Sequence, residues 1–389
     1  MCGSNMRCGR RGIRRNLIGR IFRTGGPALF LLNLRRWLCR FSAQPRRALP
    51  RLTVYAGRDV FLLAHTVLSS HTDPADPAVS RRARRERSAP GPMARVRAHA
   101  GAHVRALTRS NSGLTLDYDN PPGDPGLFGP DAVCWRVHAD FPAMLAGGVS
   151  ALLLQTLHPL ALAGVWDHSS FRTDMQGRLG RTAQFIAGTT YGSRDDAMAL
   201  IGRVRRIHAG VTGVAPDGRP YAATDPALLT WVHVAEVSSF MAGYLRYVGP
   251  LSEADQDRYY DEVARIALLL GAADVPRSRA AVAAYLEAMR PQLQASERTR
   301  EVVRLVRRMP VANPLLQPAV RIMADAGIAL LPPWARQQLD LDGPSLRRSA
   351  TRAGMRVLAP ALRWALGAGL AARARRRVAR GDKVGGAAG

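Results

Sequence analysis

From Asp131 to Asp342 the apolar positions recur every three to four residues, the period of a helix that buries one face. The pattern predicts helices over Phe141–Leu157, Arg178–Thr189, Asp195–Val211, Pro226–Tyr247, Glu253–Leu270, Arg279–Met289, Ser296–Arg308 and Leu315–Leu330. Several ends carry their own signals. Thr224 or Asp225 can cap a helix with Pro226 in its first position, and Ser252, followed by Glu253 and Asp255, opens one that Gly271 closes. Strand signal is confined to Val214–Ala222, where Pro216-Asp217-Gly218 is a turn able to join a small hairpin. The expected fold is all-α, a compact multi-helix bundle with one short β-hairpin.

One apolar run, Ala143–Val165, is long enough to raise a membrane span, but Gln155, Thr156, His158 and Pro159 interrupt it. That interruption suits a buried helix followed by a break. Near the start, Ala28–Leu34 is a short apolar patch behind many arginines, with no small-residue cleavage site after it, which argues against a signal peptide.

Outside the periodic stretch the pattern fades. Residues 1–125 read as an Arg-rich, largely unstructured leader, with clusters at Arg10–Arg15 and Arg81–Arg87, a Ser/Asp/Pro linker over Ser69–Ser80 and a break over Asn120–Gly129. Met93 is an alternative start. Residues 126–343 form the expected helical domain. Residues 344–389 form a basic C-terminal helix and tail, in which Ala353–Arg380 alternates Arg with Val, Leu, Trp and Ala at helical spacing.

Charge follows the same division. The net charge of +27 sits entirely on the flanks: residues 1–100 hold 21 Arg against 4 acids, and residues 344–389 hold 11 basic residues against Asp382. The stretch between them is neutral, with 24 basic and 24 acidic side chains. Specific nucleic-acid binding is therefore not expected, because it needs positive charge fixed on a folded face; the ends remain able to make peripheral contact with a membrane. Lysine occurs once, at Lys383, a bias that fits GC-rich coding. Of four cysteines only Cys134 lies in the neutral stretch, which leaves no disulfide framework or thiolate metal site there. The expected location is cytoplasmic.

Four groups of residues could carry chemistry. His208 follows Val204 by four and precedes Val211 by three, so it shares the apolar stripe of Leu200, Ile201, Val204, Ile207 and Val211. An inward neutral imidazole suits either an axial haem ligand or a hydrogen-bonded core histidine. Arg178 and Thr182 lie one turn apart, with Arg181 beside them, and can hold a carboxylate such as a haem propionate, or simply face solvent. Gln155, His158, Asp167 and His168 surround the Pro159 break and either line a cavity or bond one another. His233 and Glu236 lie three apart, but a di-iron carboxylate bundle needs more carboxylates, and no Glu occurs between Glu86 and Glu236. Gly367-Ala368-Gly369 imitates a dinucleotide loop without a preceding strand, and no nucleophile elbow surrounds Ser150.

Taken in order, "QTLHPLALAGVWDHS", "RLGRTAQFIAGTTYG", "VRRIHAGVTG", "DGRPYAATDPALLTWVH" and "LLPPWAR" resemble the rubber oxygenase catalytic-domain family, over about Asp131 to Asp342. Its members include latex-clearing proteins and mpaB-type oxygenases, which cleave isoprenoid chains. The resemblance implies helices around a non-covalent haem b pocket, an oxidoreductase that uses O2, and a hydrophobic, isoprenoid-like small-molecule substrate. The family's proximal histidine falls on His208, the metal ligand, and its pocket Arg and Thr fall on Arg178 and Thr182, with Arg181 alongside as a third cofactor contact. Two positions depart from latex-clearing proteins. They place a distal Lys ligand just before the Thr, where Arg181 stays protonated and has no lone pair to donate. They also use a Glu base upstream of the Arg, for which His158, Asp167 and His168 are the catalytic candidates here. These departures leave an alternative, a degenerate member that binds a lipid-like ligand or a membrane surface without catalysis.

Overall fold

A computed structural model of the chain describes residues 91–107, 116–309, 311 and 313–385. The leader expected up to residue 125 lies outside the described residues over 1–90 and 108–115. Within the rest of it the structure has a helix, α1 (Pro92–Leu107), and a packed segment in which Tyr118 is buried. From there the described chain runs through α2 (Val133–His138), α3 (Phe141–Gln155), α4 (Pro159–His168), α5 (Met175–Tyr191) and α6 (Arg194–Ala209). A ribbon of β1 (Thr212–Val214) and β2 (Pro220–Ala222) follows, then α7 (Pro226–Tyr247), α8 (Glu253–Leu270), α9 (Arg279–Met289) and α10 (Glu297–Arg307). The chain closes with α11 (Gln317–Ile328), α12 (Pro333–Gln338), α13 (Ser345–Leu366) and α14 (Leu370–Gly385). The fold is all-α with a two-stranded antiparallel hairpin in which Gly213 pairs with Tyr221.

The hub is α3, apolar on every side because α7 and α11 cover it from two directions. Small residues let these helices approach closely. A Cβ on Gly147 of α3 would lie 2.9 Å from the Ser239 carbonyl oxygen of α7, and one on Gly327 of α11 would lie 2.5 Å from Val149. Around this crossing Leu153, Leu154, Leu157 and Trp231 are buried in one cluster, and Trp135, Phe240, Met241 and Tyr259 in another. Truncating Leu153 to Ala would cost about 2 to 5 kcal/mol by the usual cavity penalty.

Local capping explains most helix starts. Asp225 accepts from the Ala227 amide beneath Pro226, Ser252 accepts from Asp255, and Gly271 ends α8 in a left-handed turn at φ 106°. Four helices, α1, α2, α4 and α12, lie outside the predicted spans, and for α2 and α4 the structure makes the reason plain. Ala132 has no capping side chain, so the amides of Val133 and Cys134 at the start of α2 donate to Glu262, 129 and 128 residues away. At α4 the residue read as a break, Pro159, is the first helical position, and His158 before it is the cap. α3 and α4 together form a pair bent by 107°, and among the described residues no single helix is long and apolar enough to cross a membrane. The basic segment read as one helix over Ala353–Arg380 is two, divided at Gly367 with φ 63°.

α13 packs on α1, α3 and α11, so residues 345–366 belong to the same helical body as the hub. α14 is docked by Arg377, whose exposure is 0%. Its guanidinium donates to the carbonyl oxygens of Asp124 (2.9 Å), Tyr191 (2.8 Å), Gly192 (3.1 Å) and Tyr118 (3.4 Å). Tyr191 and Gly192 are the end of α5, so a residue close to the C-terminus closes the helix that carries Arg178. Gly126 completes this cradle: at φ 72° it brings its backbone so near that a Cβ would stand 2.5 Å from the Gly192 oxygen.

Candidate functional site

α6 begins at Ser193, whose side chain accepts from the Asp196 amide, and ends at Gly210. Its apolar stripe does not stay inside along its length. Ala197, Leu200 and Ile201 are buried, Leu200 against the α5 backbone at Gly188, whereas Val204 and His208 are half-buried and Ile207 is 55% exposed. The helix is therefore anchored at its start and uncovered where His208 sits. The His208 Nδ1 atom is nevertheless enclosed and has no hydrogen-bond partner, and burial holds the imidazole pKa below its ordinary value. The ring is neutral at pH 7, with a nitrogen that the protein leaves unused.

α5 starts at Asp174, which accepts from the Gly177 amide. One turn in, Arg178 donates from Nη1 to Ser169 Oγ at 3.0 Å. Among the described residues no carboxylate pairs with it, and burial, with the Arg181 charge nearby, pulls its pKa down to about 10. Arg181 turns the other way, to Asp174 at 3.5 Å, and is exposed; Thr182 is exposed one turn beyond Arg178. Of the three expected cofactor contacts, Arg178 alone is enclosed.

The residues around the Pro159 break divide between the ends of α4. His158 is buried at the first end, where Nδ1 accepts from the Ala161 amide at 3.4 Å and the ring lies 6.1 Å from that of Trp231. Burial and the Arg219 charge lower its pKa to about 4. Asp167 and His168 are exposed at the other end and tied to the ribbon: Tyr221 donates to Asp167 at 2.8 Å, and His168 Nε2 donates to the Thr212 carbonyl at 3.0 Å. Arg298 of α10 adds a 3.7 Å ion pair to Asp167. The nine-residue separation along α4, on the order of 14 Å, keeps His158 apart from these two.

α7 contributes two further groups, His233 and Glu236. His233 is half-buried with Nε2 enclosed and unpartnered, and burial lowers its pKa to about 4. Glu236, one turn on, is enclosed enough that burial raises its carboxyl from 4.5 to about 7. One turn further, Phe240 packs edge-on against His138, whose two ring nitrogens meet Thr190 of α5 at 2.9 Å and Tyr259 of α8 at 3.0 Å. The signal is the spacing of "HVAE", which suits a metal or hydrogen-bond pair. Among the described residues no three His, Cys, Asp or Glu side chains converge on a metal site.

Val232, beside His233, is 36% exposed, so α7 as well as α6 leaves apolar surface uncovered next to its histidine. Two surface grooves lie elsewhere. One, of about 480 Å³, is lined by Phe128, Glu262, Arg265 and Arg277, and the other, of about 510 Å³, by Arg290, Trp334 and Gln338. Their charged rims are engaged in ion pairs or cation–π contacts, and neither contains the groups described above.

No curated protein and no solved structure matches the chain. A family model does, over residues 135–364, a span that starts in α2 and ends in α13 and takes in every one of these site residues. With more than half of its length matched, the chain belongs to the family described as ER-bound oxygenase mpaB/B'/Rubber oxygenase, catalytic domain.

Proposed function

We propose that this oxygenase-family chain is a haem b-dependent oxidoreductase that uses O2 to oxidise a hydrophobic, isoprenoid-like substrate. The observation that carries the reading is a shortage of partners. The His208 Nδ1 atom and the His233 Nε2 atom are enclosed without hydrogen bonds, and the enclosed Arg178 cation has a single hydroxyl to face it. Buried polar groups are ordinarily satisfied by the fold, and the two histidines adjoin the exposed Ile207 and Val232. A planar, apolar cofactor with a metal and carboxylate arms meets each of those needs.

The donor set fits haem b in kind. His208, neutral at pH 7, would hold the iron through an imidazole nitrogen, and Arg178, steadied by Ser169, would hold a propionate, with the Thr182 hydroxyl one turn away as a further donor. Haem b supplies the redox-active iron and O2 activation. The chain's own part is to position it, exclude water with the α6 and α7 apolar side chains, and manage protons. Glu236 is the group suited to the last task, because its carboxyl exchanges a proton near neutral pH. Asp167, His168 and His158 have other work: the first two brace the ribbon and the third caps α4. Arg181, turned to Asp174 and without a lone pair, would not be a ligand to the iron.

The test is the absorption spectrum of the purified protein. Wild type should show a Soret band and bind imidazole or azide readily. His208→Ala should lose the band or lower haem affinity by at least about a hundredfold, whereas His233→Ala should keep it. A wild type that never takes up haem, or a reversal of the two variants, overturns the proposal. The absence of a glutamate between Glu86 and Arg178, where latex-clearing proteins have a base, favours one second reading, a lipid-like ligand carrier without turnover. Haem-loaded protein that consumes no O2 with any isoprenoid would establish that reading.

A further inference from the structure

α13 breaks the ordinary rule for a surface helix. Its inner face, with Thr351, Met355, Ala359 and Ala365, is buried, and Met355 and Ala359 pack with Ala146 and Met323. The outer face of such a helix should be polar. Instead, Leu346 is 78% exposed, Val357 50% and Trp364 42%, and with the exposed Ala350, Ala353 and Ala361 they form one apolar line. From Leu346 to Trp364 the line runs about 27 Å.

Along one flank of that line stand Arg352 and Arg356, one turn apart and both exposed, while Arg348, further round the helix, donates to the Gly343 carbonyl oxygen at 3.1 Å. Among the described residues neither Arg352 nor Arg356 is in an ion pair, whereas Arg347 and Arg363 are held by Asp325 and Asp140. No acidic residue occurs from Ser345 to Gly381. An uncovered apolar line beside an unneutralised row of guanidinium groups is a specific combination. We infer that the outer face of α13 docks on an anionic phospholipid surface, with Leu346, Val357 and Trp364 entering the acyl boundary and Arg352 and Arg356 bonding headgroup phosphates. A second copy fits this face poorly, because a twofold contact would bring its arginine row near itself. Nucleic acid would satisfy the arginines and leave the apolar line in water.

The experiment uses the full chain and phosphatidylcholine vesicles with and without phosphatidylserine, read by co-sedimentation. Wild type should bind the anionic vesicles and release as salt is raised. The double variant Val357→Glu, Trp364→Glu should lower that partition by at least about tenfold with no change in the thermal midpoint, since both side chains are exposed. Arg352→Glu with Arg356→Glu should lower it by at least about tenfold as well, and only on anionic vesicles. Four results overturn the proposal: no vesicle binding by wild type, binding by the apolar variant equal to wild type, a wild-type dimer that the apolar variant dissociates, or binding to an RNA oligonucleotide in preference to vesicles.

Discussion

Two arginines in this molecule, one buried and one half-buried, meet opposite fates. Arg377, on α14, is fully buried and surrounded by four backbone carbonyl oxygens that take up its donors. Arg178, on α5, is half-buried and faces one hydroxyl, and burial together with the Arg181 charge pulls its pKa down to about 10. Both touch α5, one at its end and one near its start. The difference separates a group that holds the fold together from one the fold holds ready for something else. A guanidinium with its donors satisfied stabilises through hydrogen bonds, whereas an unsatisfied one is a net loss unless a ligand completes it. The histidines repeat the contrast: His138 and His168 are bonded by the protein, and His208 and His233 keep an enclosed nitrogen free.

The largest effect should come from breaking the satisfied member. Arg377→Ala strands four buried carbonyl oxygens and should cost about 3 to 5 kcal/mol in chemical denaturation. A loss below about 1 kcal/mol would mean that α14 is not part of the cooperative unit and would end the comparison.

Glu236 sharpens the comparison through pH. Its carboxyl is raised from 4.5 to about 7, so the folded state keeps a proton the unfolded chain has lost. Stability should fall as pH climbs from about 4.5 to about 7 and stay lower above it, by on the order of 2 kcal/mol once partial solvent access is allowed for. His233 works in the opposite sense: lowered from 6.5 to about 4, it removes stability as pH falls through that interval. Glu236→Gln cancels only the first contribution, so the wild-type minus variant difference in denaturation midpoint should grow toward alkaline pH. A flat difference would show that the carboxyl is bonded and ordinary.

Arg178→Met is the direct counterpart of the Arg377 substitution. Removing an unsatisfied cation should leave stability within about 1 kcal/mol of wild type or raise it, while haem retention against a competing apoprotein falls about tenfold. Loss of several kcal/mol with retention unchanged would make Arg178 a second structural arginine. The smallest effect belongs to the ribbon brace: Tyr221→Phe deletes one hydrogen bond to Asp167, worth about 1 kcal/mol, and should leave any haem spectrum unmoved.

How far the sequence could be read varies with how local each determinant is. α7 and α8 were legible to the residue, because Asp225, Pro226, Ser252 and Gly271 act on amides within a few positions. α2 was not, because its cap comes from Glu262 on another helix. α4 was hidden by Pro159, which breaks a helix from within yet starts one after His158. In the site, the spacing of Arg178 and Thr182 was visible, but the outward turn of Arg181 depends on where Asp174 stands. His208 was expected inside on a continuous stripe; Ile207 at 55% exposure shows the stripe divided, because partners cover only the first half of α6.

By itself, then, the chain's periodicity determined an all-helical body, its short-range capping chemistry determined most helix ends, and its ordered motifs determined the family. These are properties of neighbours within a few positions, for which the repeat of a helix turn suffices. Tertiary structure alone decided which polar groups are satisfied. Whether a buried nitrogen or guanidinium finds its partner depends on side chains and carbonyls more than a hundred residues away, as Arg377 shows by closing the end of α5 at Tyr191 and Gly192. No spacing along the chain encodes that, because hydrogen bonding acts over about 3 Å in space whatever the distance in sequence.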